Sequence, residues 1–350
     1  MQTGIEHGVG ETNGPALGSY QLVERLGEGG MGEVWLARHR LLARTAAIKL
    51  IRPEALGRDR ARAAATLTRF EREAQATAAL TSPHTIRLFD FGLTTEGTFY
   101  YVMERLDGRD LESLVREFGP LPPERVLYLI RQVCRSLAEA HAMGVVHRDI
   151  KPANIYACRM GVEYDFVKVL DFGLAKMEER SGDTIRRSAF AAGTPAYMAP
   201  EVIRGEGPVD RRADVYAVGC VAYFLLTGEL VFDAADPIDI LVQHLEEDPA
   251  PPSLRTEQRV SRDVDSLVLA CLQKDPDRRP QSADALFQMA GACRTADVWD
   301  RREAERWWQM HLPQRVLAYE QSVPSGAALP AGLRVELRQR QHVGAAAARR

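Results

Sequence analysis

Short apolar runs separated by turn residues fill the first hundred positions. Apolar residues recurring every three or four positions dominate the rest of the chain. Tyr20 to Leu50 contains three expected strands: Tyr20-Gln21-Leu22-Val23-Glu24-Arg25-Leu26, Glu33-Val34-Trp35-Leu36-Ala37-Arg38 and Ala46-Ala47-Ile48-Lys49-Leu50. A helix is expected from about Ala61 to Leu80, with Phe70, Ala74, Thr77 and Ala78 at i, i+4, i+7, i+8 as its inward stripe. Ile86 to Gly92 and Thr98 to Glu104 read as two more strands. Pro122 to Met143 reads as a helix: Pro123 suits its first turn, Val126, Leu129, Ile130, Val133 and Leu137 form its apolar face, and Gly144 stops it. Val215 to Leu226 is the longest apolar run, at 12 residues. A membrane span needs roughly 20, so this is expected to be a buried helix and no membrane anchor is expected.

The ends are patterned differently. Residues 1–19 are Gly-rich and polar, without the basic head or apolar centre of a signal or transit peptide, and are expected to form a flexible tail. Asp300 to Gln309 can form a short helix with Ala304, Trp307 and Trp308 on one side. Docking as a satellite of the core is favoured there over a partner-binding helix. Glu320 to Arg350 is rich in Ala, Gly and Arg without periodicity and is expected to be disordered.

Composition adds little against this pattern. The chain has 350 residues and a formal net charge of -3, which gives no reason to expect nucleic acid or an anionic membrane as main partner. Its five cysteines are odd in number and lack a Cys-x-x-Cys pair, which suits free thiols in a reducing, cytoplasmic compartment.

The candidate chemistry lies in polar clusters set among the apolar segments. Gly27-Glu28-Gly29-Gly30-Met31-Gly32 joins the first two strands and matches Gly-x-Gly-x-x-Gly. Dinucleotide-binding folds share that pattern but continue it with a helix; here Glu33-Val34-Trp35-Leu36 continues as a strand. A hairpin tip without side chains can lie over phosphates and offer N–H groups, or be merely flexible. Lys49 sits inside an apolar strand, and buried lysines are rare unless paired. Glu73 borders the inward stripe of the next helix more closely than Glu71 and is the candidate partner, against the alternative of a surface charge pair. His147-Arg148-Asp149-Ile150-Lys151-Pro152-Ala153-Asn154 places a base, two cations and an amide in one loop. Asp171-Phe172-Gly173 comes directly after the strand Phe166-Val167-Lys168-Val169-Leu170, and the 17 positions from Asn154 to Asp171 imply an insertion in the hairpin turn around Arg159 to Asp165. An earlier Asp90-Phe91-Gly92 precedes the His-Arg-Asp loop and is read as a turn. A polar Ser/Thr- and Arg-rich stretch from Leu174 to Ala192 ends at Met198-Ala199-Pro200-Glu201.

Taken together and in this order, these clusters resemble the bacterial eukaryotic-like serine/threonine protein kinase family across roughly Tyr20 to Cys293. The resemblance implies an α+β, two-lobed fold: a small antiparallel-sheet lobe with one main helix over 20–103, a hinge at 104–108, a larger mostly helical lobe over 109–293, and an extension over 294–350. It implies transfer of the ATP γ-phosphate to protein Ser/Thr hydroxyls with Mg²⁺, which Mn²⁺ could replace. ATP would lie under Leu26, Gly27, Glu28, Gly29, Gly30, Met31, Gly32, Glu33 and Val34, against Ala47 and Met103, over Tyr156, with adenine on the backbone of Glu104 and Leu106. Lys49 would hold the phosphates, braced by Glu73; Asp149 would accept the substrate proton; Lys151 would face the phosphoryl group; Asn154 and Asp171 would hold the metal.

The resemblance also makes Asp214 an anchor of the catalytic loop, where a plain helix cap is the alternative reading, and pairs Arg279 with Glu201, where a surface charge is the alternative. Thr194 would sit beside Asp149 and Lys151. Arg148 next to Asp149 suits switching by a phosphate in the activation segment, with Ser188 ranked before Thr184. Three features depart from the family pattern: Thr77 stands where a larger apolar side chain often packs between the lobes, Tyr156 where an aliphatic residue commonly floors the adenine, and the stretch from Lys49 to Glu73 is long. A kinase-like scaffold that binds without catalysis is the rival reading, and intact Lys49, Asp149, Asn154 and Asp171 argue against it. A small-molecule kinase of related fold generally lacks the long activation segment and Ala-Pro-Glu. Substrates, signal and any dimerisation stay open.

Overall fold

The structure is a computed structural model that describes residues 15–29, 32–42, 44–52, 68, 71, 74–94, 97–172, 195–205 and 207–314. The chain divides into a compact unit ending at Arg306 and a second beginning at Trp307.

The first unit is built as two lobes. Its small lobe is a six-stranded antiparallel sheet of β1 (Ala16–Leu17), β2 (Tyr20–Gly29), β3 (Gly32–His39), β4 (Thr45–Ile51), β5 (Leu88–Leu93) and β6 (Phe99–Glu104), in the spatial order β1-β2-β3-β4-β6-β5. Strand alternation gives this sheet two apolar faces. One buries Tyr20, Leu22, Ala37, Ala46, Ile48 and Val102. The other buries Ala47, Ile51, Ile86, Phe99, Tyr101 and Met103. Register fixes the second face as the cleft face, because Val34 lies opposite Lys49, Lys49 opposite Tyr101, and Ala47 opposite Met103.

Two sequence expectations fail in this lobe. Asp90-Phe91-Gly92 is not a turn: it lies within β5, where Phe91 pairs with Tyr101 and Gly92 with Tyr100. The Tyr100 ring stands where a side chain on Gly92 would be, with its hydroxyl 3.1 Å from the Cβ position. Ala78, assigned to the inward stripe, is exposed, while Ala74 and Thr77 are buried. Residues 74–78 are helical; Phe70 and most of the expected 61–80 helix lie outside the described residues.

The large lobe begins at β7 (Gly108–Asp110) and α1 (Leu111–Phe118), whose N-terminus is capped by Asp110 accepting from the N–H of Ser113. Helix α2 (Pro123–Ala142) buries Val126, Leu129, Ile130, Val133 and Leu137, and Gly144 turns the chain at φ 75° just beyond it. Strand β8 (Ile155–Met160) pairs with β7 on one side and β9 (Glu163–Val169) on the other in a three-stranded sheet. The extra length expected around Arg159 to Asp165 shows as a register shift between the Cys158–Phe166 and Met160–Glu163 pairs, with Asp165 at φ 51°. The strands run long and only Gly161 and Val162 connect them, with Gly161 at φ 61°.

Further on come α3 (Pro200–Arg204), α4 (Arg211–Thr227), α5 (Pro237–Glu246), α6 (Arg262–Cys271), α7 (Ala283–Ala292) and α8 (Arg301–His311). Helix α4 is buried from Ala213 to Thr227, which is why its sequence is apolar all round. Among the described residues no helix is long and apolar enough to cross a membrane.

The segment before α8 is tied to the hairpin. Trp299 Nε1 donates to Asp165 Oδ2 at 3.0 Å, and Asp165 pairs with Arg125, whose guanidinium lies 5.0 Å from the Trp299 ring centre. Within the second unit the Trp307 and His311 rings stack at 4.4 Å.

Candidate active site

The site begins with a strained loop. Val145 N donates to the Ala140 carbonyl at 2.8 Å, which carries the chain from α2 into residues 146–154. Arg148 has φ 64°, a conformation that costs a non-glycine residue about 1–3 kcal/mol and needs outside support. Asp214 in the first turn of α4 supplies it. Its carboxylate accepts from the N–H groups of His147 and Arg148 and bonds His141 Nε2, each at 2.8 Å. The helix cap is Asp210, which accepts from Arg212 N, so the cap reading of Asp214 is set aside.

His147 locks the loop to the residues that follow β9. Its Nε2 donates to the Leu170 carbonyl at 2.8 Å while Nδ1 accepts from Asp149 N at 3.2 Å. Those two bonds require the neutral ring. Burial, outweighing Asp214 and Asp149, pushes the imidazole below its ordinary range and keeps it neutral.

The catalytic-loop side chains converge on one carboxylate. Asp149 Oδ2 accepts from Asn154 Nδ2 at 2.9 Å and lies 3.0 Å from Lys151 Nζ. Asn154 Nδ2 also donates to the Asp149 carbonyl, so its amide oxygen is the atom left to ligate. Leu170 N donates to the Asn154 carbonyl at 2.9 Å, bringing the next residue, Asp171, beside the loop. Asp171 has φ 56°, and the Phe172 ring packs 4.5 Å from that of His147.

From the small lobe, Lys49 Nζ reaches Asp171 Oδ2 at 2.7 Å across 122 positions of sequence. Burial acts against the lysine charge, but Asp171 and Tyr101 together outweigh it and hold Lys49 above its ordinary value. Tyr101 donates to Asp171 Oδ1 at 3.4 Å, and burial raises its hydroxyl, so it stays a donor.

Glu104, at the end of β6, is braced separately. Glu104 Oε1 takes Lys168 Nζ at 2.5 Å and Arg87 N at 2.9 Å, with Lys168 almost wholly buried on β9. Tyr156 on β8 lies opposite Lys168, and Leu106 packs against the cleft-face cluster. Gly27 and Gly29 leave open space where a Cβ would stand. Leu26 is half exposed at the same edge, and Glu28 pairs with Arg25 and Arg52. Glu33 accepts from Trp35 Nε1 at 2.9 Å. Farther off, Arg279 pairs bidentately with Glu201 at 2.7 Å twice and is almost fully buried, so it is no surface charge.

Gly30, Met31, Glu73, Thr184, Ser188 and Thr194 lie outside the described residues, while Glu71 is exposed. Sequence reasoning passed over Tyr101, Lys168 and the Arg125–Asp165–Trp299 group. For Lys168 the signal was present: a lysine between two valines of an apolar strand, the feature that singled out Lys49.

Mg²⁺ suits this donor set. One carboxylate and one amide oxygen are hard ligands, and Mg²⁺ characteristically takes one or two carboxylates plus phosphates instead of a full protein cage.

The protein kinase domain family matches residues 20–289. This chain belongs to the protein kinase family. Among its relatives, the serine/threonine-protein kinase pkn3 of Myxococcus xanthus is 38% identical over 319 residues, covering 89% of this chain and 57% of pkn3. PknB of Mycobacterium tuberculosis is 43% identical over 267 residues, covering 75% of this chain and 41% of PknB. The chain therefore spans about half the length of these relatives. The crystal structure of the Mycobacterium tuberculosis PknI kinase domain superposes with a TM-score of 0.60 at 26% identity, over 80% of this chain and 97% of that domain.

Proposed function

We propose that this chain is a serine/threonine protein kinase transferring the γ-phosphoryl group of ATP to protein hydroxyls. The observation that carries the reading is the Lys49–Asp171 pair between the lobes, with Asp149, Lys151 and Asn154 bonded together on the loop whose Asn154 carbonyl accepts from Leu170 N, next to Asp171. Asp149 accepts the proton of the substrate hydroxyl, and its bonds to Asn154 and Lys151 aim that carboxylate. Lys49 binds phosphate oxygens in exchange for Asp171, and Lys151 offsets charge on the transferring group. Asp171 and the Asn154 amide oxygen would hold Mg²⁺, which neutralises charge on the phosphates when bound. Adenine packs between Val34, Ala47 and Met103 above and Tyr156 below, with the backbone of Glu104 and Leu106 as its polar edge. Glu73 braces Lys49.

The kinase domain extends over 20–293, with the hinge at 104–108 and a C-terminal extension from 294. Phosphorylation of Ser188 or Thr184 activates it. Arg148 supports this: its Nε is buried and has no hydrogen-bond partner among the described residues, as a guanidinium awaiting a phosphate would be. The five free thiols support a cytoplasmic setting.

The test is phosphate transfer from γ-labelled ATP to a generic protein substrate, with Asp149→Asn as control. The wild type should label the substrate and the variant should not; equal labelling by both would defeat the assignment. Phosphopeptide mapping of autophosphorylated chain should find Ser188 or Thr184, and modification of neither would remove the switching proposal.

A further inference from the structure

Tyr101 holds an oxygen against the metal carboxylate that neither the sequence resemblance nor the family fold accounts for. It is 1% exposed, and its ring packs edge-on to Phe99 at 6.2 Å within the cleft-face cluster. That burial would serve a phenylalanine equally well. The hydroxyl, however, ends 3.4 Å from Asp171 Oδ1, and a buried phenol oxygen is retained where it has a partner. Lys49, directly opposite on β4, takes the other oxygen, Oδ2, and its Nζ lies 5.7 Å from the Tyr101 ring centre.

We propose that Tyr101 is a positioning residue that keeps the Asp171 carboxylate oriented for a divalent cation while Lys49 exchanges it for phosphate. The inference rests on the assignment of Asp171 as the metal carboxylate. A carboxylate carries about four lone-pair sites on two oxygens. When Lys49 leaves, Oδ2 is released. The Tyr101 hydroxyl uses one site on Oδ1 and leaves the second for a cation. Without that hydroxyl, the soft terminal torsion of Asp171 would be free to rotate once Lys49 had moved. The Asp171 backbone is held, through Leu170 N on Asn154 and Phe172 against His147, but its side chain is held by Lys49 and Tyr101.

The experiment measures binding of a fluorescent ADP analogue to the full chain, in EDTA and across a Mg²⁺ series. Tyr101→Phe should bind the nucleotide in EDTA within about twofold of wild type. It should need roughly three- to tenfold more Mg²⁺ to reach the midpoint of metal-enhanced binding, the effect of about one ordinary hydrogen bond, since the contact is long at 3.4 Å. Phe99→Leu perturbs the same cluster without touching the hydroxyl and should leave the midpoint unchanged. Asp171→Asn should abolish the Mg²⁺ effect. An unchanged midpoint in Tyr101→Phe, with Asp171→Asn insensitive to Mg²⁺, overturns the role of Tyr101 and leaves the site assignment standing. An equal shift in Phe99→Leu assigns the effect to packing and overturns it as well. Full Mg²⁺ enhancement in Asp171→Asn removes the metal assignment itself, and this inference with it.

Discussion

Two sets of ion pairs contrast within the molecule. At the cleft, Lys49–Asp171 and Lys151–Asp149 each meet through a single nitrogen, and their side chains keep 10–26% of their surface open. Beneath it, Arg125–Asp165 is fully buried, and Arg279 is bidentate to Glu201 while also donating to the carbonyls of Arg212, Gln273 and Lys274. Arginine's planar fork suits fixed, dry pairs; lysine's single compact charge suits a partner that must be given up. On the proposed function the cleft pairs exchange and the deeper pairs stay, and substitutions should separate the two classes.

The largest effect belongs to the cleft. Asp149→Asn should lower kcat by on the order of 10²–10⁴-fold, measured by steady-state phosphotransfer, with a nearly unchanged urea midpoint. Lys49→Arg, which keeps the charge but installs a fork, should also abolish turnover while leaving the melting temperature equal or higher. Retained activity in that variant would break the contrast.

Arg279→Ala should do the reverse. Removing one partner of a buried pair costs about 3–5 kcal/mol, so chemical denaturation should show a loss of that order. Activity per folded molecule measured below the transition should fall far less than in Asp149→Asn.

A smaller effect is expected from pH. Burial, joined by the charge of Lys274, pushes His244 down to about 3. Its folded value is thus depressed, so between about 6.5 and 3 the unfolded chain binds a proton that the folded chain refuses. Stability from this group is complete above 6.5 and falls with pH across that window, by up to about 1.4 kcal/mol per unit. His84 and His147 are shifted in the same direction, also chiefly by burial. His244→Gln should flatten the slope of unfolding free energy against pH between 6 and 4; an unaltered slope would contradict the assignment. The exposed Arg116–Glu112 pair on α1 marks the lower limit, and Arg116→Ala should change stability by no more than about 0.5 kcal/mol.

The same division explains what the sequence made legible. Asp149, Lys151 and Asn154 lie within six positions, and Asp171 follows a recognisable strand, so each could be singled out locally. The two lobes were legible as strand alternation giving way to helical spacing. Tyr101 acts across 70 positions and Trp299 across 134, through contacts that no local pattern announces. Asp90-Phe91-Gly92 and Asp171-Phe172-Gly173 share their letters, yet pairing of Phe91 with Tyr101 draws the first into a sheet. The hairpin after Asn154 absorbed its extra length as strand instead of turn, because β-pairing satisfies backbone groups that a longer loop would leave to solvent.

The exchange itself is the most direct test. A crystal structure of the full chain with Mg²⁺ and a non-hydrolysable ATP analogue should show Lys49 Nζ moved from Asp171 onto phosphate oxygens and the metal on Asp171 and Asn154. Arg279–Glu201 and Arg125–Asp165 should remain as they are. Nucleotide bound elsewhere, with Lys49 still 2.7 Å from Asp171, would contradict the account.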